Sequence, residues 1–202
     1  MNHQTDNVSG GFSLIELLVT VALIAVLSAM LLNFASFRHP PSRMAVCADN
    51  LQKIDLAMQI YAGDHQGRLP SVRDASSSGQ PLGLLVPRYA LDPSIFLCPG
   101  RGDSVSDILH GKDETLPTSY SYYMGCSLQN PQAILLTDWQ VNTGFKPAGE
   151  WVFSPDGRPP GNNHGKNGGN LLQADGSVVR GGNRLPYSLN IPPGATLLNP
   201  KP

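Results

Sequence analysis

From Phe12 to Leu32 the chain is apolar apart from Ser13, Glu16, Thr20 and Ser28, and neither Pro nor Gly interrupts the run. At about 1.5 Å per residue this run makes a helix of roughly 30 Å, the thickness of a bilayer's hydrocarbon core. Core helices are shorter and keep a polar face, so the pattern predicts a membrane-spanning helix over 12–34. His39-Pro40-Pro41 then predicts a break over 35–41, because proline lacks the amide donor and clashes with the preceding turn. A second pattern follows over 42–64. Cys47, Leu51, Ile54, Met58 and Tyr61 recur at spacings of four and three, which is one face of an amphipathic helix. Arg43, Asp49, Gln52, Lys53, Asp55 and Gln59 fall mostly on the other side. Ser42 is placed to cap this helix, and Gly63 and Gly67 to end it.

Beyond residue 65 the apolar runs shorten to strand length. Tyr120–Met124 is rich in aromatics, and Ala133–Trp139 is continuously apolar except for Thr137 and Asp138. Asn170–Gln173 and Ser177–Arg180 flank Ala174-Asp175-Gly176, a hairpin signal in which the glycine supplies positive φ. The fold class is therefore α+β: an N-terminal hydrophobic helix, then an amphipathic helix packed on a small antiparallel sheet within a loop-rich β domain over 65–202. The tail LPYSLNIPPGATLLNPKP is expected to be extended, wrapping the sheet or lying loose.

Composition narrows the function. The chain has 202 residues and net charge −1, which argues against a nucleic-acid partner. The residues before Phe12 include no Lys or Arg, so an ordinary cleavable secretion signal fits poorly. Three cysteines, Cys47, Cys98 and Cys126, allow one disulfide with one thiol left over, and no pair has zinc-motif spacing.

Glu16 is the residue that the apolar run does not explain, because an ionisable group in lipid costs a few kcal/mol and needs a partner. Gly11-Phe12-Ser13-Leu14-Ile15-Glu16 resembles the prepilin cleavage motif of type IV pilins and type II secretion pseudopilins. The resemblance implies a leader over 1–11, cut after Gly11 by a prepilin peptidase, with N-methylation of the new terminus at Phe12. Glu16 then becomes the fifth mature residue, meeting the terminal amine of Phe12 of a neighbouring subunit during assembly. The motif implies a cytoplasmic N-terminus and a periplasmic C-terminal domain, on a single span of the inner membrane. Arg38 and Arg43 follow the span, so charge alone does not give this orientation.

Further segments are similar to a pseudopilin-like group of planctomycete- and verrucomicrobium-type bacteria. They are Cys47-x-x-Asn50-Leu51-x-x-Ile54, the stretch from Tyr61-Ala62-x-Asp64 to Gly67-Arg68-Leu69-Pro70, Cys98-Pro99, and His164 with a Gly/Asn run leading to Asp175-Gly176. Because Cys47 and Cys98 both fall in such segments, the resemblance favours Cys47–Cys98 as the disulfide. Cys98–Cys126 and three free thiols remain open.

The remaining chemistry is thin. Gly165-Lys166-x-Gly168-Gly169 lacks the P-loop spacing and precedes a strand. His164 with Asp175 is half of a metal or acid/base pair without a third partner. The plainer expectation is that His164 anchors its loop and Asp175 caps the turn. Arg101-Gly102-Asp103 matches an adhesion triplet only by its three residues. Asp138, Asp156 and Asp175 are oxygen donors for calcium by analogy with major pseudopilins, at spacings that match no calcium motif. No catalytic constellation and no metal ligand set stands out. The expected role is a non-enzymatic pseudopilin or pilin-like subunit, working with a prepilin peptidase, other pseudopilins and an inner-membrane assembly platform in a type II secretion-like or type IV pilus-like system. The alternative is a pilin-type anchor that displays a binding module.

Overall fold

A computed structural model of the chain describes residues 13–36, 42–101 and 115–201. The leader, the cleavage pair Gly11–Phe12, most of the expected break, and Gly102 and Asp103 of the adhesion triplet lie outside the described residues. The chain divides into one unit up to Pro40 and a second from Pro41 onward.

In the first unit, α1 runs over Leu14–Ser36. Its described side chains, including Leu14, Leu18, Leu23 and Leu27, are exposed. Among the described residues no helix is long and apolar enough to cross a membrane. Side chains of α1 are described only as far as residue 30, so the span expected over 12–34 stays an inference from sequence.

The second unit begins with α2, Arg43–Asp64. The Ser42 hydroxyl accepts the Ala45 N–H at 3.2 Å and satisfies one of the helix's orphan donors. The helix closes where the Gly67 N–H reaches back to the Ala62 carbonyl at 2.7 Å. Cys47, Leu51, Ile54 and Met58 are completely buried, and each of the three larger side chains contributes about 1.5–3 kcal/mol of apolar burial. Tyr61 stands at the rim, stacked on His65 at 3.8 Å and edge-on to Tyr89 at 5.2 Å. Asp55 departs from the expected polar side: it is buried on α2, under the hairpin turn at Gly176.

A short helix, α3 (Gly79–Leu82), and two 3-10 turns lead to the sheet. Its strands are β1 (Tyr120–Met124), β2 (Ile134–Asp138), β3 (Gly169–Gln173), β4 (Val178–Gly181) and β5 (Thr196–Leu198). They are ordered β4-β3-β2-β1-β5, and every pair is antiparallel. β5 comes from the proline-rich tail and completes the edge beside β1, with Leu198 opposite Tyr122. The sheet is covered on both faces. Leu172 joins the main core with α2, Phe96, Tyr120 and Leu136, while Leu171 joins a second cluster with Val152, Phe153, Leu185 and Leu189. Successive strand residues point to opposite faces, so two adjacent leucines serve two cores.

Candidate functional site

Among the described residues of the second unit, a dense cluster of polar side chains lies where β2 ends, β3 begins and α2 starts. Asp138 is the last residue of β2 and is completely buried. A carboxylate there requires donors on every side. One oxygen, Oδ1, accepts from the Asn163 side-chain amide at 2.7 Å. The other, Oδ2, accepts from the Asn170 backbone N–H at 2.7 Å and the Asn170 side-chain amide at 3.1 Å. His164 Nε2 stands 3.1 Å from the same Oδ2.

The donors are themselves tied down. Asn163 also donates to the Ser119 carbonyl at 2.8 Å, and Asn170 to the Met44 carbonyl at 3.1 Å. The Gly/Asn-rich stretch around His164 therefore acts as a fitted loop that delivers two donors and an imidazole to one carboxylate.

His164 Nε2 faces sulfur as well as oxygen, with Cys98 Sγ 3.6 Å away. Cys98 is bonded to Cys47 of α2 as a disulfide, and its N–H donates to the Ser119 hydroxyl at 2.9 Å. Gly100 lies close against the imidazole. A Cβ on Gly100 would stand 2.7 Å from His164 Nδ1 and run into the Asn163 carbonyl, so only glycine fits there. One donor atom from each of Cys47, Cys98, Asp138 and His164 lies within 4.8 Å of all the others. His164 also lines an open cleft of about 500 Å³ bordered by Arg43, Gly100, Asn167 and Arg180.

The residues singled out from sequence are distributed differently. His164 meets Asp138, while Asp175 sits in the β3–β4 turn, where its Oδ1 accepts the Ser177 N–H at 2.8 Å. Bonds from Ser177 hold the Asp175 carboxyl below the usual carboxylate range. Gly176 follows at φ 81°, the left-handed conformation the turn requires. Asp156 accepts from the Ser154 hydroxyl and the Arg158 N–H, both at 3.0 Å. Asp138, Asp156 and Asp175 thus each keep a separate set of donors. Cys126 is a buried free thiol, pushed up in pKa by burial. In the first unit, Glu16 Oε2 accepts the Ser13 N–H at 3.3 Å at the head of α1.

Asp138, Asn163 and Asn170 did not emerge from the sequence as one site. The available signal was an acid at the end of an apolar strand, which burial obliges to find partners, and an asparagine-rich loop able to supply them.

A family described as Prokaryotic N-terminal methylation motif matches residues 6–32. The chain carries the motif of prepilin-type processing, consistent with a type IV pilin-like or pseudopilin-like protein. That motif implies processing by a prepilin peptidase and marks a class of structural subunits. No curated protein and no solved structure matches this chain.

Proposed function

We propose that this protein is a pilin-type structural subunit, cut after Gly11, methylated at Phe12 and assembled through α1 into a filament of a type II secretion-like or type IV pilus-like machine. The observation that carries the reading is the methylation motif at the head of an apolar helix. The support for a span is the sequence: the apolar run Phe12–Leu32 would make a helix of about 30 Å at about 1.5 Å per residue, the thickness of the hydrocarbon core. The described leucines, isoleucines and valines of α1, as far as residue 30, are exposed in the isolated chain. Lipid would cover them before assembly and neighbouring helices after it. In this reading the helix sits in the inner membrane, with the leader cytoplasmic and the 41–202 unit periplasmic. Glu16 neutralises the free amine of Phe12 in the next subunit, which makes the intramembrane charge affordable.

The test is the intact mass and N-terminal residue of the membrane-extracted protein, followed by cross-linking of assembled subunits. A chain beginning at methylated Phe12 supports processing, and Glu16→Val should leave processing intact while abolishing higher cross-linked species. A chain retaining Met1 refutes processing and turns the protein into a membrane-anchored display domain. Normal assembly of Glu16→Val refutes the role given to that carboxylate.

A further inference from the structure

We propose that Cys47, Cys98, His164 and Asp138 form a binding site for a zinc-class divalent metal when the Cys47–Cys98 disulfide is reduced. The geometry separates this from a catalytic triad. A triad uses the two nitrogens of the imidazole in opposite directions, one toward the nucleophile and one toward the carboxylate. Here a single atom, Nε2, faces both Cys98 Sγ at 3.6 Å and Asp138 Oδ2 at 3.1 Å. The groups converge on one point, as donors do around an ion.

Their chemistry suits a borderline-soft cation: two thiolates, one imidazole and one carboxylate are all donor types that tetrahedral zinc takes. Zinc–sulfur bonds of about 2.3 Å and zinc–nitrogen bonds of about 2.0 Å place tetrahedral donors about 3.3–3.8 Å apart. The four donor atoms already lie within 4.8 Å of one another. They come from α2, the 98–100 turn, the end of β2 and the 161–168 loop, so only the folded chain brings them together. Asn163 and Asn170 hold the Asp138 carboxylate as outer partners hold a ligating group. A cleft open to solvent borders one of the four, His164.

The disulfide and the metal exclude each other. Reduction by a small dithiol breaks the S–S bond: the disulfide takes up two electrons and two protons, and the dithiol closes to its own disulfide. The divalent ion then displaces the two thiol protons to solvent and binds both thiolates, while Nε2 gives up any hydrogen it holds. Two thiolates, a carboxylate and a dication leave one net negative charge, which faces the amide donors of Asn163 and Asn170.

The experiment titrates cobalt(II), then zinc(II), into the full chain in detergent, in the oxidised form and after reduction with a phosphine. The reduced chain should bind one equivalent of cobalt with thiolate charge-transfer absorption and tetrahedral d–d bands, and zinc should displace it. The oxidised chain should show neither. His164→Gln should lower the affinity of the reduced chain at least about tenfold, and Cys126→Ser should change nothing. Mass spectrometry after alkylation supplies a readout on the unmutated chain, where zinc should protect Cys47 and Cys98 against modification. A reduced chain that binds no cobalt, folded or unfolded, overturns the proposal. Binding unchanged by His164→Gln, or zinc that leaves both thiols unprotected, overturns it as well.

Discussion

Truncating Asp138 to alanine removes the acceptor on which three other residues depend, and the structure allows the loss to be worked out donor by donor. Asn163 keeps the Ser119 carbonyl at 2.8 Å, and the Asn170 amide keeps the Met44 carbonyl at 3.1 Å. The Asn170 backbone N–H loses its 2.7 Å partner. His164 is left with only the Cys98 sulfur at 3.6 Å. An unsatisfied buried donor costs about 1–3 kcal/mol. Two orphaned donors and the lost packing therefore place Asp138→Ala at about 3–5 kcal/mol. Asp138→Asn keeps one oxygen for the Asn170 N–H but turns an N–H₂ group toward the Asn163 amide. Asn163 Oδ1 is buried without a partner, so a flip of that amide would relieve the clash at the expense of the Ser119 contact. That exchange costs about 1–2 kcal/mol.

Thermal unfolding followed by tryptophan fluorescence is the appropriate assay. Both tryptophans, Trp139 and Trp151, lie in the unit from Pro41 onward, so the signal ignores α1 and its detergent. For a domain of this size 1 kcal/mol shifts Tm by about 2–4 °C, so Asp138→Ala should lower Tm by about 6–20 °C and Asp138→Asn by less than half as much. A shift below about 2 °C for Asp138→Ala, or equal shifts for the two variants, would refute the view that the carboxylate's acceptor role organises this end of the sheet.

Three other perturbations have definite signs. Replacing Cys47 and Cys98 together with serine reopens a loop of sequence separation 51. The chain-entropy relation gives a loss of about 4 kcal/mol, and a melt unchanged within about 1 kcal/mol would contradict it. Burial, and more weakly Asp175, raises the pKa of Asp55 above 3.8, while the Gln59 bond opposes the shift. The folded chain therefore keeps this proton to higher pH than the unfolded chain, and stability from this group falls as pH rises through the folded pKa. Asp55→Asn should be more stable than the parent at neutral pH, with the difference vanishing below about pH 3, where the carboxyl is protonated in both the folded and unfolded chain; parallel stability–pH curves would rule this out. Gly100→Ala forces a Cβ to within 2.7 Å of His164 Nδ1. It should cost about 1–3 kcal/mol by overpacking, read as a lower Tm, whereas an unchanged Tm would mean the 98–100 loop yields freely.

What the sequence made legible was what depends on local periodicity. The face Cys47, Leu51, Ile54 and Met58 follows from a 3.6-residue repeat, and Ser42 follows from the chemistry of an orphaned N–H. β1 to β4 follow from short apolar runs, and the Asp-Gly pair marks the β3–β4 turn. β5 was not legible as a strand. It has three residues between turn-forming Gly194 and Asn199-Pro200, and it is held by a ladder with β1, a contact more than seventy positions away. The burial of Asp55 was hidden for the same reason, because the hairpin turn that covers it belongs to a different element.

The buried site shows the limit most clearly. Sequence proximity drew attention to His164 and Asp175, which share a glycine-rich neighbourhood, yet the antiparallel fold separates them. Asp175 rides on the turn at one end of β3, while His164 precedes the other end, where Asn170 meets the close of β2 at Asp138. In an antiparallel pair the start of one strand faces the finish of its neighbour, so the partner of a residue just before β3 must be sought at the C-terminal end of β2. The sequence rule that would have found Asp138 is therefore topological: once β2 and β3 are paired, an acid closing an apolar strand belongs with whatever donors open the next.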